Sequence, residues 1–453
     1  VENGFLSPTI DYRVVAVSTL ADLELDENGR QRTGGELFSK MFFGDGKLNF
    51  GQDNIYTQTV TVNMRPRLPD ILGINRLIET TASYTAVYNL TDPLQADPAT
   101  RDVVRTGRVN TTTRLSPIVR WRQIGQEIFG APKKDTSSGV LKTIGSVFQE
   151  LLFGFDNLTL VYTQNNNSVN QGVMGGTGFS NLWARTLTFR GNDPRWGPST
   201  PYQLGFTSNP HGGIAVVGSS AFPFFKFESS TGLRPASAVM QDDFTQRNTV
   251  QLQTSRPLWP GATLDLTMKS DFGYSKNQRV LTDANGVPSF SNVNVRQTLD
   301  RTFVSFPPWF TFGLSNDGVD EVVRLYNERA AVINTETDTT KRNQQLLEAL
   351  ALSFREGFES LQLFTGELAR IAPALNYTLR WDGIEKFGPL KGIAQRIFLE
   401  HGYQSSYQEN AHVNDNGRII DVQQVKTGFQ PLIGINMNFD EKALKGTLTG
   451  TVR

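Results

Sequence analysis

The feature that most restricts this chain is a period-two alternation in which one of the two faces is charged. From Thr263 to Lys269 the order T-L-D-L-T-M-K puts Leu264, Leu266 and Met268 on one side, with Asp265, Thr267 and Lys269 on the other. Phe272 and Tyr274 extend the apolar side, and Asp271 extends the polar one. Unpaired charge is too costly to bury, so the polar face of such a strand must meet water. The pattern recurs. Leu375, Tyr377, Leu379 and Trp381 oppose Asn376, Thr378, Arg380 and Asp382. Ile433, Ile435, Met437 and Phe439 oppose Gly434, Asn436 and Asn438. Past an expected tight turn at Asp440-Glu441-Lys442, Leu444, Leu448 and Val452 oppose Lys445, Thr447, Thr449, Thr451 and Arg453. Earlier in the chain, Tyr56, Val60, Val62 and Met64 oppose Thr57, Thr59, Thr61 and Asn63, and Ala82, Tyr84, Ala86 and Tyr88 make another such face.

Several of these segments run for about ten residues, which is what a tilted strand needs to cross a bilayer; ordinary strands are nearer five or six. Trp259, Trp381, Tyr403 and Tyr407 are expected near strand ends, where a membrane interface favours aromatic rings. Soluble antiparallel sheets with one wet face share the alternation. A soluble or adhesive β-sheet surface protein therefore stays open, as does another outer-membrane transporter. The 41 glycines and 30 phenylalanines suit strands joined by turns better than a helical bundle. With 44 basic and 44 acidic residues, nothing recommends a nucleic-acid partner. Cysteine is absent, which excludes a disulfide framework and thiolate metal sites. No run of eighteen apolar residues predicts a transmembrane helix. The chain opens on Val without a charged-then-apolar leader, and we read it as a piece of something longer.

One region breaks the rhythm. Val319, Val322, Val323, Tyr326, Ala330 and Ile333 follow helical spacing, as do Leu347, Leu350, Ala351, Phe354, Phe358 and Leu361, with the polar stretch Thr335 to Asn343 between them. This predicts strands over 1–316, a helical insertion over 317–365, lying outside the membrane or tucked into a lumen, and strands again over 366–453.

No catalytic constellation emerges. His211-Gly212-Gly213 has no accompanying G-x-S-x-G elbow, and Gly175 to Gly178 lacks the remainder of a dinucleotide fingerprint. His211, His401 and His412 are too dispersed for a ligand set, and His401 is expected as a solvated side chain at or near a strand's water-facing end. The sequence predicts no enzyme, no cofactor and no metal.

Phe364 to Ile393 (F-T-G-E-L-A-R-I-A-P-A-L-N-Y-T-L-R-W-D-G-I-E-K-F-G-P-L-K-G-I), followed by R-I-F-L-E-H-G-Y-Q-S-S-Y at Arg396 to Tyr407, resembles the C-terminal part of the SprA/Sov family. The residues that carry the match are Asn376, Tyr377, Gly383, His401, Tyr403, Ser405 and Tyr407; Tyr377 and Ile384 depart from the family's Trp and Leu. Asn248 to Leu266 and Phe429 to Met437 match further family segments in order. The resemblance implies the outer-membrane translocon of the type IX secretion system, linked to gliding motility in Bacteroidetes-like bacteria. Its implied partners are outer-membrane lipid, secreted cargo proteins with a C-terminal signal domain, a shuttle barrel and a periplasmic plug.

The expected fold is all-β: a segment of a very large antiparallel transmembrane β-barrel with a short helical insertion. Asp265, Thr267, Lys269, Asn376, Thr378, Arg380, Asn436, Asn438, Thr447 and Thr449 are expected to face the lumen. Leu264, Leu266, Met268, Leu379, Ile433, Ile435 and Met437 are expected to face lipid.

Overall fold

The structure is a computed structural model that describes residues 7–19, 24, 26, 29–43, 52–66, 74–93, 101–129, 154–174, 197–206, 230–303, 318–359, 370–386, 395–414, 417–438 and 447–452. The expected turn at Asp440-Glu441-Lys442, His211-Gly212-Gly213 and Gly175 to Gly178 lie outside the described residues.

The alternating segments form one antiparallel, barrel-like sheet of thirteen strands. These are β1 (Thr9–Thr19), β2 (Gln52–Met64), β3 (Ile78–Thr91), β4 (Thr106–Val119), β5 (Leu158–Gln171), β6 (Val239–Trp259) and β7 (Ala262–Thr282). They continue as β8 (Pro288–Thr302), β9 (Asn376–Asp382), β10 (Arg396–Asn414), β11 (Gly417–Phe429), β12 (Ile433–Asn438) and β13 (Thr447–Val452). Neighbours in sequence pair from β1 to β8, so each strand turns back against the one before it. Among the described residues no pairing joins β1 to β11 or β13.

The hairpin between β6 and β7, each 21 residues long, shows how tightly one turn can be specified. Gly261 has φ +86°, and a Cβ there would lie 2.0 Å from the Asp382 carbonyl oxygen. Its own carbonyl accepts from the Asp382 N–H at 2.8 Å, so the turn is fastened to the end of β9.

Two positions in the wall are shared by two strands each. Along β7, β8 covers Ser270 to Thr282 and β9 covers Ala262 to Thr267. β8 and β9 are thus two halves of a single strand line, interrupted between Thr302 and Asn376. Along β10, β11 and β12 divide the opposite side in the same way. The helical segment emerges from the β8–β9 interruption. Its helices are α1 (Gly318–Ile333) and α2 (Thr339–Phe358), packed as a hairpin. Ala330, Ala349 and Ser353 are buried between them, small enough to let the backbones approach. Arg329 donates to Ser353 Oγ at 2.7 Å and pairs with Glu356 across the contact. Asp338 caps α2 by accepting from the N–H groups of Thr340 and Lys341 at 2.9 and 3.2 Å.

The interruption is closed at its base. The Ala374 N–H donates to the Thr302 carbonyl at 2.9 Å, the Thr302 hydroxyl donates to the Ala374 carbonyl at 2.5 Å, and Phe303 N–H reaches Ser405 at 3.1 Å. Both limbs of the insertion therefore leave the wall at one point without unpairing the sheet around it.

Candidate functional site

The functional feature of this fold is the wall itself, and its two faces differ in kind. Register fixes which residues share a face. Leu264 pairs with Leu379, Leu399 with Trp381 and Ile435, and Met437 with Ile397. Leu264, Leu266, Met268, Leu379, Ile433, Ile435 and Met437 consequently lie on one face. Asp265 pairs with Thr378, Thr267 with Asn376, Arg380 with Glu400, and Thr447 and Thr449 with Asn438 and Asn436. The members of that second group on β7, β9 and β12, with Lys269, occupy the opposite face. Sequence parity orders residues within a strand; it is the pairing that aligns the parities of β7, β9, β12 and β13.

The polar face continues to the far edge of the sheet. Thr57, Thr59 and Thr61 meet Asn89, Val87 and Thr85, and Thr112 meets Asn165. Charges on this face are paired locally: Asp271 takes Lys269 at 2.7 Å and Arg247 at 3.6 Å, and accepts from the Thr249 hydroxyl at 2.5 Å. Asn277 donates to Asp243 at 2.6 Å, and Gln408 to Asp300 at 3.1 Å. A cavity of about 780 Å³ opens on the polar side, bordered by Asn110, Asn165, Arg247, Asp271, Asp300 and Gln408 from six different strands. One hollow touched by six strands means the polar side is concave there.

The apolar face carries a belt, and the belt is oblique. Pairing links Val62, Tyr84, Thr113, Gln164, Asn248, Phe272, Leu299 and Glu409 into one row across the sheet. On β2 the apolar run of Val60, Val62 and Met64 is centred on that row. On β5 and β6 its centre has moved to Leu160 and Leu252, on β7 to Leu266, on β9 to Leu379, and on β10 and β12 to Leu399 and Ile435. The slip is about ten residues over about eight strand steps, or about 33 Å along the strands for about 38 Å of sheet. Keeping such a belt level requires the strands to tilt by about 40°, inside the 35–45° range of transmembrane barrels. Trp259 and Trp381 meet edge to face at 5.6 Å at one margin of the belt.

Below the belt the apolar face is covered, and several expectations need correction. Tyr403 and Tyr407 lie within β10 rather than near its ends, and Tyr407 is wholly buried against Phe303 at 5.5 Å. His401 is not a solvated residue at a strand end. It sits inside β10 opposite Leu379, on the apolar face. Its Nδ1 donates to the Leu432 carbonyl at 2.6 Å, which leaves Nε2 to accept from the Tyr377 hydroxyl at 3.1 Å. The reason is parity: His401 shares its face with Leu399 and Tyr403, and the β11–β12 junction supplies the acceptor it needs there.

The covered region also holds charge that the alternation did not predict. Arg301 has no exposed side-chain surface; it pairs with Glu359 at 3.0 Å, donates to the Ala372 carbonyl at 3.1 Å, and lies 5.0 Å from the Phe303 ring. Glu409 is nearly buried between Arg370 at 3.4 Å and Arg418, and accepts from Tyr407 at 2.6 Å. Arg234 and Asp242 form a third buried pair at 2.8 Å. These pairs fasten inserted segments to the wall. The available signal was a charge at an apolar-parity position: Asp242, Arg301 and Glu409 each interrupt such a face.

Of the residues that carry the family resemblance, Asn376, Tyr377, His401, Tyr403 and Ser405 meet across β9 and β10, Tyr407 lies further along β10, and Gly383 lies at the far end of β9. Asn376 clamps Ser405, accepting from its N–H at 3.1 Å and donating to its carbonyl at 3.2 Å. Tyr377 stacks on Tyr403 at 6.1 Å and meets His401, while Gly383 ends β9 at φ +91°.

No helix among the described residues is long and apolar enough to cross a membrane. No family model matches the chain, and no curated protein matches it. Among solved structures, the ferric yersiniabactin uptake receptor FyuA from Yersinia pestis overlays with a TM-score of 0.27 and 7% identity. The overlay covers 85% of this chain and 35% of the receptor, so the chain spans about a third of the receptor's length, and so loose a fit carries no argument about function.

Proposed function

We propose that this chain forms part of the wall of an outer-membrane β-barrel that serves as a conduit for exported proteins, of the type IX translocon kind. The observation that carries the barrel reading is the oblique apolar belt on one face, backed by a concave polar face. A closed transmembrane barrel needs lipid-compatible side chains outside, water-compatible side chains inside and tilted strands, and these three properties coincide here. The Thr, Asn and locally paired charges of the polar face suit passage of varied folded cargo, because they offer no broad apolar or single-sign surface for cargo to adhere to.

The translocon reading rests on the resemblance of Asn376, Tyr377, Gly383, His401, Tyr403, Ser405 and Tyr407 to the SprA/Sov family; five of them, Asn376, Tyr377, His401, Tyr403 and Ser405, meet across β9 and β10. The test is to disrupt the gene in its source bacterium and follow secreted proteins that carry a C-terminal signal domain. Their accumulation in the periplasm, with restoration by the intact gene, supports the proposal. Normal secretion combined with loss of uptake of a nutrient would replace it with a different outer-membrane transporter.

A further inference from the structure

The apolar belt is not centred on its strands. From Leu252, β6 continues for about seven residues to Trp259 but for about thirteen to Val239. From Leu266, β7 continues for about four residues to Ala262 but for about sixteen to Thr282. Val239 pairs with Leu281, so the two long arms run together to the same end of the wall. At a tilt of about 40° they reach about 34–42 Å from the belt centre, against about 12 Å for half of an apolar band about 25 Å tall. The sheet therefore stands about 20–30 Å clear of the belt at one end and stops close to its margin at the other.

The two ends differ in chemistry. All three tryptophans among the described residues lie at the short end: Trp121 just after β4, Trp259 at the end of β6 and Trp381 on β9. Arginines accompany them. Arg120 and Arg122 flank Trp121, and Arg256, on the apolar face, lies 5.4 Å from the Phe155 ring. Arg120 and Arg122 make only half-exposed ion pairs, with Glu79 at 3.9 Å and Asp156 at 3.5 Å, and such pairs hold their partners weakly. At the long end the apolar-parity positions carry Asp242, Gln246, Lys276, Gln278 and Glu409, all buried. Segments of the chain cover that end: the Tyr202 hydroxyl donates to Asn170 at 2.6 Å, Arg234 donates to the Gln171 carbonyl at 2.8 Å, and Phe354 and Phe358 of α2 pack on Phe272 and Leu299. These covers come from the two longest connections between described strands, 172–238 and 303–375, whereas the short end holds the two-residue turn Pro260–Gly261.

We infer that the tryptophan margin is the surface that meets the phospholipid headgroups of the periplasmic leaflet, and that the long arms with the segments packed on them form a collar standing outside the cell. An indole has an apolar body and one N–H donor, which suits the boundary between acyl chains and headgroups, and a guanidinium beside it matches a phosphate. Outer-membrane barrels carry short turns on the periplasmic side and long connections outside, which sets the direction. Buried polar and charged side chains along the collar need the protein cover they have, since acyl chains would leave them without partners. This inference rests on the reading of the wall as an outer-membrane barrel and holds whatever passes through it.

The test labels intact cells making the full chain with a polymer-linked maleimide too large to cross the outer membrane. The sequence contains no cysteine, so each introduced thiol is the only one in it. Ala284→Cys places a thiol in the exposed turn between β7 and β8, at the tip of the long arms, and Pro260→Cys places one in the exposed turn at the short end. Gln126→Cys, exposed on the helix Trp121–Phe129, is a second site at the short end should the turn variant fail to assemble. In intact cells Ala284→Cys should react at least tenfold faster than either short-end variant, and the difference should vanish once detergent opens the membrane. Faster labelling at the short end, or equal labelling in intact cells, would overturn the inference while leaving the protein a membrane barrel. Release of the unsubstituted protein from membranes by carbonate without detergent would instead withdraw the membrane reading, and the inference with it.

Discussion

Arginine substitution along the apolar belt gives the most discriminating test, because the belt crosses the hydrogen-bonded rows. Leu266 lies at the belt centre on β7 and Leu379 at its centre on β9, whereas Thr267 is on the polar face. An arginine on the lipid side at the bilayer midplane costs about 2–4 kcal/mol, falling to about 0–1 near the interfaces. Leu266→Arg and Leu379→Arg should each lower stability by about 3 kcal/mol, more than a hundredfold in the folding equilibrium, while Thr267→Arg should change it by less than about 0.5. The native chain contains an internal control. Arg256 pairs with Leu264, which pairs with Leu379, so all three share one row and one face. On β6, however, Arg256 is four residues from the belt centre at Leu252. That is about 13 Å along the strand and about 10 Å in depth at a 40° tilt, close to the edge of an apolar band about 25 Å tall. A native arginine is thus tolerated in a row where, two strands along, it should not be. Urea unfolding of the purified protein in lipid vesicles measures the cost, and outer-membrane fractionation reads the failure of assembly. Equal cost at Leu266 and Thr267, or a cost that follows the row instead of the belt, would refute a tilted transmembrane wall.

Glu359→Ala strands the buried Arg301 without its carboxylate and should cost about 3–5 kcal/mol, read as faster proteolysis within the insertion while the sheet resists. Gly261→Ala forces a Cβ against the Asp382 carbonyl at positive φ and should destabilise the β6–β7 hairpin by more than about 1 kcal/mol; unchanged urea unfolding would contradict that turn. Asp338→Ala removes the cap of α2 and should cost about 1 kcal/mol, seen as faster amide exchange in its first turn. Next to that cap, the N–H of Asp338 and then Lys341 hold the Glu336 carboxyl below its usual range. A depressed carboxylate stabilises above its unfolded pKa and loses that contribution as pH falls through the folded value, so exchange in this turn should rise on acidification below the ordinary carboxylate range. Glu336→Gln should remove that dependence.

The resemblance at Leu375 to Tyr407 shows how far local pattern reaches. Asn376, Tyr377, His401 and Ser405 are two short runs in sequence, and only strand pairing reveals them as one clamp across β9 and β10. His401 marks the limit of parity: its strand neighbours give its face correctly, but its acceptor comes from Leu432, a residue no local rule connects to it.

The sequence by itself determined that the strands are two-faced and that helices interrupt them, because side-chain direction in a strand has period two and helical contact has period near 3.6. It also determined which residues are segregated within each strand, since charge such as Asp265 and Lys269 has to stay wet. Tertiary structure decided how those faces align from strand to strand, that the belt is oblique, and that the lower part of the apolar face is roofed by α2 with Arg301 and Glu409 beneath it. These depend on register and on contacts between distant segments, and one residue of register would exchange every face in the wall.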